Sequence, residues 1–319
     1  MNNDARNSGF AGKSGRKTRK DRSRPDKGKS DSSKTPKLRS RGMKGPAADA
    51  PKRAYGAKSH GATTQPRSPK GRRARPQSKH EGGSGWIWGT HACLAALSNP
   101  RRTIHELLVT ESAQNRLTLP SGGAIAQIVE PQTIDRILPK GTVHQGIALK
   151  AAPLEWPALE VLADNAADNG VILVLDQITD PHNVGAILRS AEVFGARAVV
   201  APHRHSAPET GALAKTASGA LERQPYLRVR NLSDTIVDLQ QMGYLVLGLD
   251  GLADQTIEQA TEGKTDRAIA LVLGAEGPGL RQKTKETCDA LVKIDAARGF
   301  GSLNVSNAAA VALYASLPR

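Results

Sequence analysis

Three short stretches hold residues whose types and spacing suit chemistry. In the first, DQITDPHNVGAILRSAEVFG over 176–195, Asn183, Gly185 and Arg189 gather at the start of a helical pattern. Gly185 has no side chain, so a partner can approach the backbone beneath Arg189, which lies one turn later. In the second, LVLGAEGPGL over 271–280, an apolar run leads straight into Gly274, Gly277 and Gly279 around Glu276. Those glycines let backbone come close to a flat or bulky ligand. No Gly-Lys-Ser/Thr follows, so this is not a phosphate loop, and it is not the dinucleotide fingerprint of a first strand either. In the third, GSLNVSNAAA over 301–310, Ser302, Asn304 and Ser306 stand ahead of a helix of small residues. Taken singly, each stretch is also explained by ordinary structure: a capped helix with a packing glycine and a surface arginine, a strand-to-helix turn, a capped last helix.

The elements that must position these residues are legible around them. Val171, Ile172, Leu173, Val174 and Leu175 form an unbroken apolar run, the mark of a strand buried on both faces, with Asp176 at its carboxyl end. Asp180-Pro181 marks a turn, and a helix is expected from near Asn183, a good capping residue. Val184, Ile187, Leu188 and Ala191 supply the stripe that packs it onto a sheet. Further strands are expected at 198–201, 226–229, 244–249, 268–273 and 290–294, with helices near 209–219, 232–242, 281–287 and 304–316. Short apolar runs separated by helices predict an α/β fold with a mostly parallel, doubly wound sheet over 170–319. Ligands of such sheets bind beyond the carboxyl ends of the strands, where the first two stretches fall.

Ahead of it, 85–152 reads as a small α/β unit. Trp86-Ile87-Trp88 opens it, a short helix over 91–97 ends at Asn99-Pro100, strands are expected at 104–109, 124–129 and 146–149, and a helical turn at 132–138. His91 and His144 in this unit have no catalytic spacing and read as structural. Residues 153–169 look like a connecting helix flanked by linker.

Charge divides the chain more sharply still. Of 45 Lys+Arg and 30 Asp+Glu, residues 1–80 hold 24 basic residues and 5 aspartates, a net of +19, while 81–319 carry a net of −4. The first 80 residues contain no Val and no Ile. Such a segment cannot bury enough apolar surface to offset the entropy of ordering it, so 1–84 is expected to be a disordered basic extension. Basic arms of this kind add sequence-independent affinity for phosphate backbones, which favours an RNA-directed arm over a merely solubilising extension. A membrane span is not expected, because no apolar run reaches about 18 residues. Cys93 and Cys288 are isolated, with no metal-ligand spacing, and suit a reducing, cytoplasmic compartment.

Together the three stretches carry more than each alone. Asn183-x-Gly185-x-x-x-Arg189, then Gly274-x-Glu276-Gly277-x-Gly279-Leu280, then Ser302-Leu303-Asn304-Val305-Ser306 resemble the three motifs of the SpoU (TrmH) family of the SPOUT superfamily. Lys215-x-x-Ser218-Gly219-Ala220 is similar to the same family. Trp86-x-Trp88-Gly89-x-His91-Ala92 and His144-Gln145-Gly146 resemble the small RNA-binding domain of the subgroup acting on a guanosine of large-subunit ribosomal RNA.

The resemblance implies an S-adenosylmethionine-dependent ribose 2′-O-methyltransferase, a homodimer, a C-terminal trefoil knot that ordinary fold rules would not suggest, and no metal. It casts Arg189 as the central catalytic residue. An arginine is effectively always charged, so holding a phosphate and stabilising the 2′-oxygen suits it better than acting as a base. Asn183, Ser302 and Asn304 would position the ribose and Arg189, and Glu276 would orient its loop. Gly274, Glu276, Gly277, Ile294 and Leu303 would line the cofactor pocket. Where many relatives have Ile-Pro-Met-x-Gly, this chain has Ile294-Asp295-Ala296-Ala297-Arg298, so the cradle is expected to differ there. Two alternatives remain at this point: the same chemistry on transfer RNA, and a non-catalytic RNA-binding or ribosome-assembly factor.

Overall fold

The computed structural model describes residues 85–120, 124–164, 170–263, 267–297 and 303–316. The expected disordered extension 1–84 therefore lies outside the described residues, as do Arg298 and Ser302.

Two sheets organise the chain. The smaller is built from β1 (Trp86–Trp88), β2 (Ile104–Val109), β3 (Ala126–Ile128) and β4 (Ile147–Ala151), in the order β1-β4-β2-β3. β4 runs antiparallel to both neighbours, and β3 lies parallel to β2. Helices α1 (Thr90–Ser98), α2 (Glu111–Arg116) and α3 (Pro131–Ile137) complete it.

The larger sheet has seven strands, and every pairing in it is parallel. They are β5 (Val171–Asp176), β6 (Ala198–Pro202), β7 (Tyr226–Val229), β8 (Leu245–Leu249), β9 (Gln255–Thr256), β10 (Ile269–Gly274) and β11 (Ala290–Lys293), in the order β7-β6-β5-β10-β8-β11-β9. The chain steps outward from β5 to β7, then returns to build the other half, so the strand order reverses between β5 and β10. The carboxyl ends of two strands at such a reversal leave a crevice for a ligand.

β5 shows why an all-apolar run belongs here. Val171, Leu173 and Leu175 join one core with α5 (Pro181–Val193), α6 (Gly211–Ala217) and α10 (Val305–Ala315). Ile172 and Val174 join the opposite core with α4 (Leu159–Ala163) and α7 (Leu232–Gln241). Of the remaining helices, α8 (Ile257–Thr261) shares the first core through Ile257 and Ala260, and α9 (Gln282–Thr287) follows the turn after β10.

The first core also takes in α1, β2 and β4, so the small sheet is packed against the large unit rather than merely tethered to it. Trp88 lies against Gly211, where an added Cβ would come within 2.0 Å of the indole. Arg102, whose side chain is 3% exposed, donates from Nε and Nη2 to both oxygens of Glu222, itself 3% exposed, at 3.0 and 2.7 Å. Asn99 Nδ2 donates to the same carboxylate at 2.9 Å. Removing either partner of so buried a pair leaves an uncompensated charge, at a cost of about 3–5 kcal/mol.

Several sequence expectations are corrected in detail. The helix expected from Asn183 begins two residues earlier: Pro181 occupies its first turn, where the missing N–H costs nothing, and Asp180 caps it by accepting from the His182 N–H at 2.9 Å. Of the connecting helix expected within 153–169, the described residues form the five-residue α4, whose Leu159 and Ala163 are buried against the sheet, and 165–169 lie outside the described residues. β9 and α8 carry too short and polar a pattern to stand out in the sequence. Among the described residues no helix is long and apolar enough to cross a membrane.

Candidate active site

The three sequence stretches meet at the carboxyl ends of β5 and β10, where Asp176 and Gly274 are partners in the register. Asn183 lies on the first turn of α5. Glu276 follows β10, and Asn304 is the N-cap of α10, its Oδ1 accepting from the N–H groups of Ser306 at 2.9 Å and Asn307 at 3.4 Å. The Asn304 Nδ2 donates to Glu276 Oε1 at 2.6 Å and to Asn183 Oδ1 at 2.9 Å. Asn183 Nδ2 also donates to Glu276 Oε1 at 3.3 Å, and the Val305 N–H at 3.2 Å. One carboxylate oxygen thus takes three donors and pins three loops that are far apart in sequence.

The loop between β10 and α9 is shaped by its glycines. It folds back so tightly that a Cβ on Gly274 would lie 2.2 Å from the Gly279 carbonyl carbon. What approaches Gly274 is therefore its own chain. Gly277 and Gly279 have φ of 85° and 69°, the left-handed region that favours glycine, and nothing lies within 4 Å of a Cβ placed on either. Open space above exposed backbone, with Leu303 51% exposed beside Asn304 and Ile294 half-buried against the core, fits a flat, partly apolar group such as an adenosine.

Arg189 is exposed and, among the described residues, has no hydrogen-bond or ion-pair partner. It makes no hydrogen bond to the Asn183–Glu276–Asn304 junction. The space beneath it at Gly185 is filled by α6, since a Cβ there would meet the Leu213 carbonyl oxygen at 2.6 Å and the Ala217 nitrogen at 3.0 Å. The sequence reading of Gly185 as an opening for a ligand is corrected: it is the contact between two helices. His182 Nδ1 and Thr216 Oγ1, 3.0 Å apart, tie the same pair near the site.

Two further arrangements escaped the sequence reading. Asp176, wholly buried, accepts from the Arg281 N–H at 3.1 Å and from Arg281 Nε at 2.7 Å. The available signal was a carboxylate ending an apolar strand, because a buried charge requires a partner. The other lies at the border of the small sheet. Lys215 Nζ on α6 donates to the Val143 carbonyl at 2.8 Å, its stem lies 3.3 Å from a Cβ placed on Gly89, and Gln145 Oε1 accepts from the Thr90 N–H at 2.9 Å. His144 accepts from the Gly146 N–H at 3.1 Å and faces Asp135 at 3.3 Å. Among the described residues no group of three His, Cys, Asp or Glu side chains is placed to hold a metal.

Comparison with known proteins bears on the same regions. A model of the SpoU rRNA Methylase family matches residues 170–314, and one of the RNA 2′-O ribose methyltransferase substrate binding domain matches 86–157. The 23S rRNA (guanosine-2′-O-)-methyltransferase RlmB of Escherichia coli is 37% identical over 236 residues, covering 72% of this chain and 96% of that protein. RlmB of Haemophilus influenzae is 40% identical over 238 residues, covering 72% and 95%. Among solved structures, the SpoU methyltransferase AviRb from Streptomyces viridochromogenes in complex with AdoMet superposes with a TM-score of 0.57 at 21% identity, covering 72% of this chain and 88% of that one, a likeness of fold.

Proposed function

The chain belongs to the SpoU rRNA methylase family, and from that membership we propose that it methylates the ribose 2′-hydroxyl of a guanosine in 23S ribosomal RNA, with S-adenosylmethionine as donor. The observation that carries this reading is the 37–40% identity to curated guanosine methyltransferases along nearly their whole length. The junction of Asn183, Glu276 and Asn304 supports it from the side of geometry.

A ribose hydroxyl is a poor nucleophile until its proton is leaving, so the site must stabilise negative charge developing on the 2′-oxygen. When bound, the cofactor supplies a methyl group on a sulfonium. Gly277, Ile294 and Leu303 would hold it, largely through backbone groups and apolar contact. Gly274 serves that pocket indirectly, by allowing the loop to close. Glu276 and the two asparagines fix the loops that carry these residues, and the hydrogen bonds already made by Glu276 Oε1 commit that oxygen to the task. Arg189, permanently charged and without an intramolecular partner among the described residues, is available to an RNA phosphate and to the 2′-oxygen. Ser302 is assigned to the ribose by its place in the third motif.

The reading extends to the molecule. Residues 1–84 form an RNA-directed basic arm, 85–152 a substrate-binding domain, 153–169 a linker and 170–319 a methyltransferase domain with a C-terminal trefoil knot. The protein is a homodimer in the cytoplasm, with no resident metal. Separate sheets and separate family models support the division, and exposed Val193, Val311 and Tyr314 on α5 and α10 support a self-associating face.

Incubating the full-length protein with S-adenosylmethionine and 23S or transfer RNA, then mapping 2′-O-methylation, tests the reading. Methylation at a 23S guanosine is expected. Methylation confined to transfer RNA, or cofactor binding without transfer to either RNA, would overturn it.

A further inference from the structure

Next to the site just described, the carboxyl ends of β6 and β7 hold a pocket of about 370 Å3 to which none of the three motifs contributes, although Arg281 directly follows the second. His203, Arg204 and His205 come from the loop after β6, Arg230 and Asn231 from the turn into α7, and Arg281 from the turn into α9. None of the residues lining it is acidic. The acid closest in sequence is Asp234, on the first turn of α7.

The pocket is built rather than merely exposed. The Arg228 guanidinium donates to three carbonyls at the end of β6 and in the loop after it: Pro202 at 3.2 Å, His203 at 2.7 Å and Ala207 at 3.0 Å. The Tyr226 hydroxyl donates to the Ala207 carbonyl at 2.8 Å, and the His203 N–H to Val229 at 2.7 Å. Asp176 fixes Arg281 through its N–H and Nε, leaving the outer end of the guanidinium with the side chain 46% exposed. Arg204 and Arg230, by contrast, are exposed and have no hydrogen-bond or ion-pair partner among the described residues. The N-terminus of α7, positive by its dipole, opens on the same space through Asn231.

We propose that this pocket is a subsite for a phosphodiester group of the RNA strand, flanking the nucleotide that is methylated. Guanidinium forks match the geometry of a phosphate and bind it by paired hydrogen bonds. The place is right as well: Arg281, five residues beyond Glu276, is held by Asp176 at the carboxyl end of β5 and also lines the pocket, so one residue joins the two places. The subsite rests on the methyltransferase reading for its substrate, not for its chemistry.

The test compares full-length wild type with Arg204→Gln/Arg230→Gln, both positions being exposed and unpartnered, and with Arg204→Lys/Arg230→Lys. RNA binding is measured across a salt series on a 23S rRNA transcript, with methylation kinetics and cofactor calorimetry beside it. The glutamine variant is expected to bind RNA about tenfold more weakly. Its slope of log K against log salt should be shallower by roughly 0.7 for each phosphate no longer neutralised. The loss should fall on the KM for RNA rather than on kcat, with cofactor affinity unchanged and much of the binding restored by lysine. Wild-type affinity and slope in the glutamine variant would overturn the subsite. So would inorganic phosphate binding to wild type and not to the variant while RNA binding stays the same, which would mark a site for free anions. A wild type that binds RNA through this pocket yet transfers no methyl group would leave the subsite standing and remove the methyltransferase reading.

Discussion

At Glu276 a single carboxylate oxygen holds the side chains of Asn183 and Asn304 and the backbone of Val305, which supports the proposal that those residues organise the reaction site. Arg189 stands apart from them, and its role is tested by removal. Arg189→Ala is expected to lower turnover by ~10²–10³, the usual cost of deleting an electrostatic stabiliser, with calorimetry showing cofactor affinity near wild type. Turnover within threefold of wild type would remove Arg189 from the reaction. Gly277 makes a complementary test. Its φ of 85° disfavours any side chain, and the space above it is open within the chain. Gly277→Trp should fill that space and abolish S-adenosylmethionine binding in the absence of RNA. Unchanged affinity by calorimetry would take the glycine loop out of the cofactor pocket.

The helix α5 shows how one element serves both core and site. Val184, Ile187, Leu188 and Ala191 are wholly buried, as the stripe predicted, while the first turn delivers Asn183. Gly185 is where α5 presses on α6, and Gly185→Ala forces its Cβ against the Leu213 carbonyl. Overpacking of this kind costs about 1–3 kcal/mol, so the variant should unfold at lower temperature while retaining cofactor affinity. Activity lost at unchanged stability would instead return Gly185 to the ligand side. The contact between the small sheet and the large unit carries a pH signature. Burial pushes the Glu209 carboxyl above its ordinary range, and the nearby Arg102 guanidinium pulls it down without cancelling the effect. A carboxyl that binds its proton more tightly when folded stabilises at acid pH, and that contribution is lost as pH rises through the folded value. Glu209→Gln should therefore match wild type near pH 4 and melt at higher temperature than wild type at neutral pH. Equal melting temperatures across that range would show that the charge is accommodated without cost.

For the whole molecule, the net charge of +19 on residues 1–80 against −4 on the rest predicts where long-range attraction to RNA originates. Removing residues 1–80 should weaken RNA binding at moderate salt and flatten the salt dependence, by roughly 0.7 in slope for each phosphate of single-stranded RNA that the arm had neutralised. Turnover at saturating RNA should survive, since every residue assigned to the reaction lies beyond 170. Identical slopes would make the arm a solvated bystander. Local patterns in the chain were enough to establish the α/β class, the apolar strands and helices of the large sheet and the three stretches that carry chemistry. Periodicity and turn chemistry record these things, because each depends on residues a few positions apart. They did not establish that Asn183, Glu276 and Asn304 share hydrogen bonds, that Asp176 is satisfied by Arg281, or that Gly185 faces a helix rather than a ligand. Nor did they show Arg204, Arg230 and Arg281 gathered around one pocket. Those facts join residues tens of positions apart, and no local pattern encodes them. They follow from a strand order that brings β10 back beside β5, and only the folded chain brings the ends of those strands together.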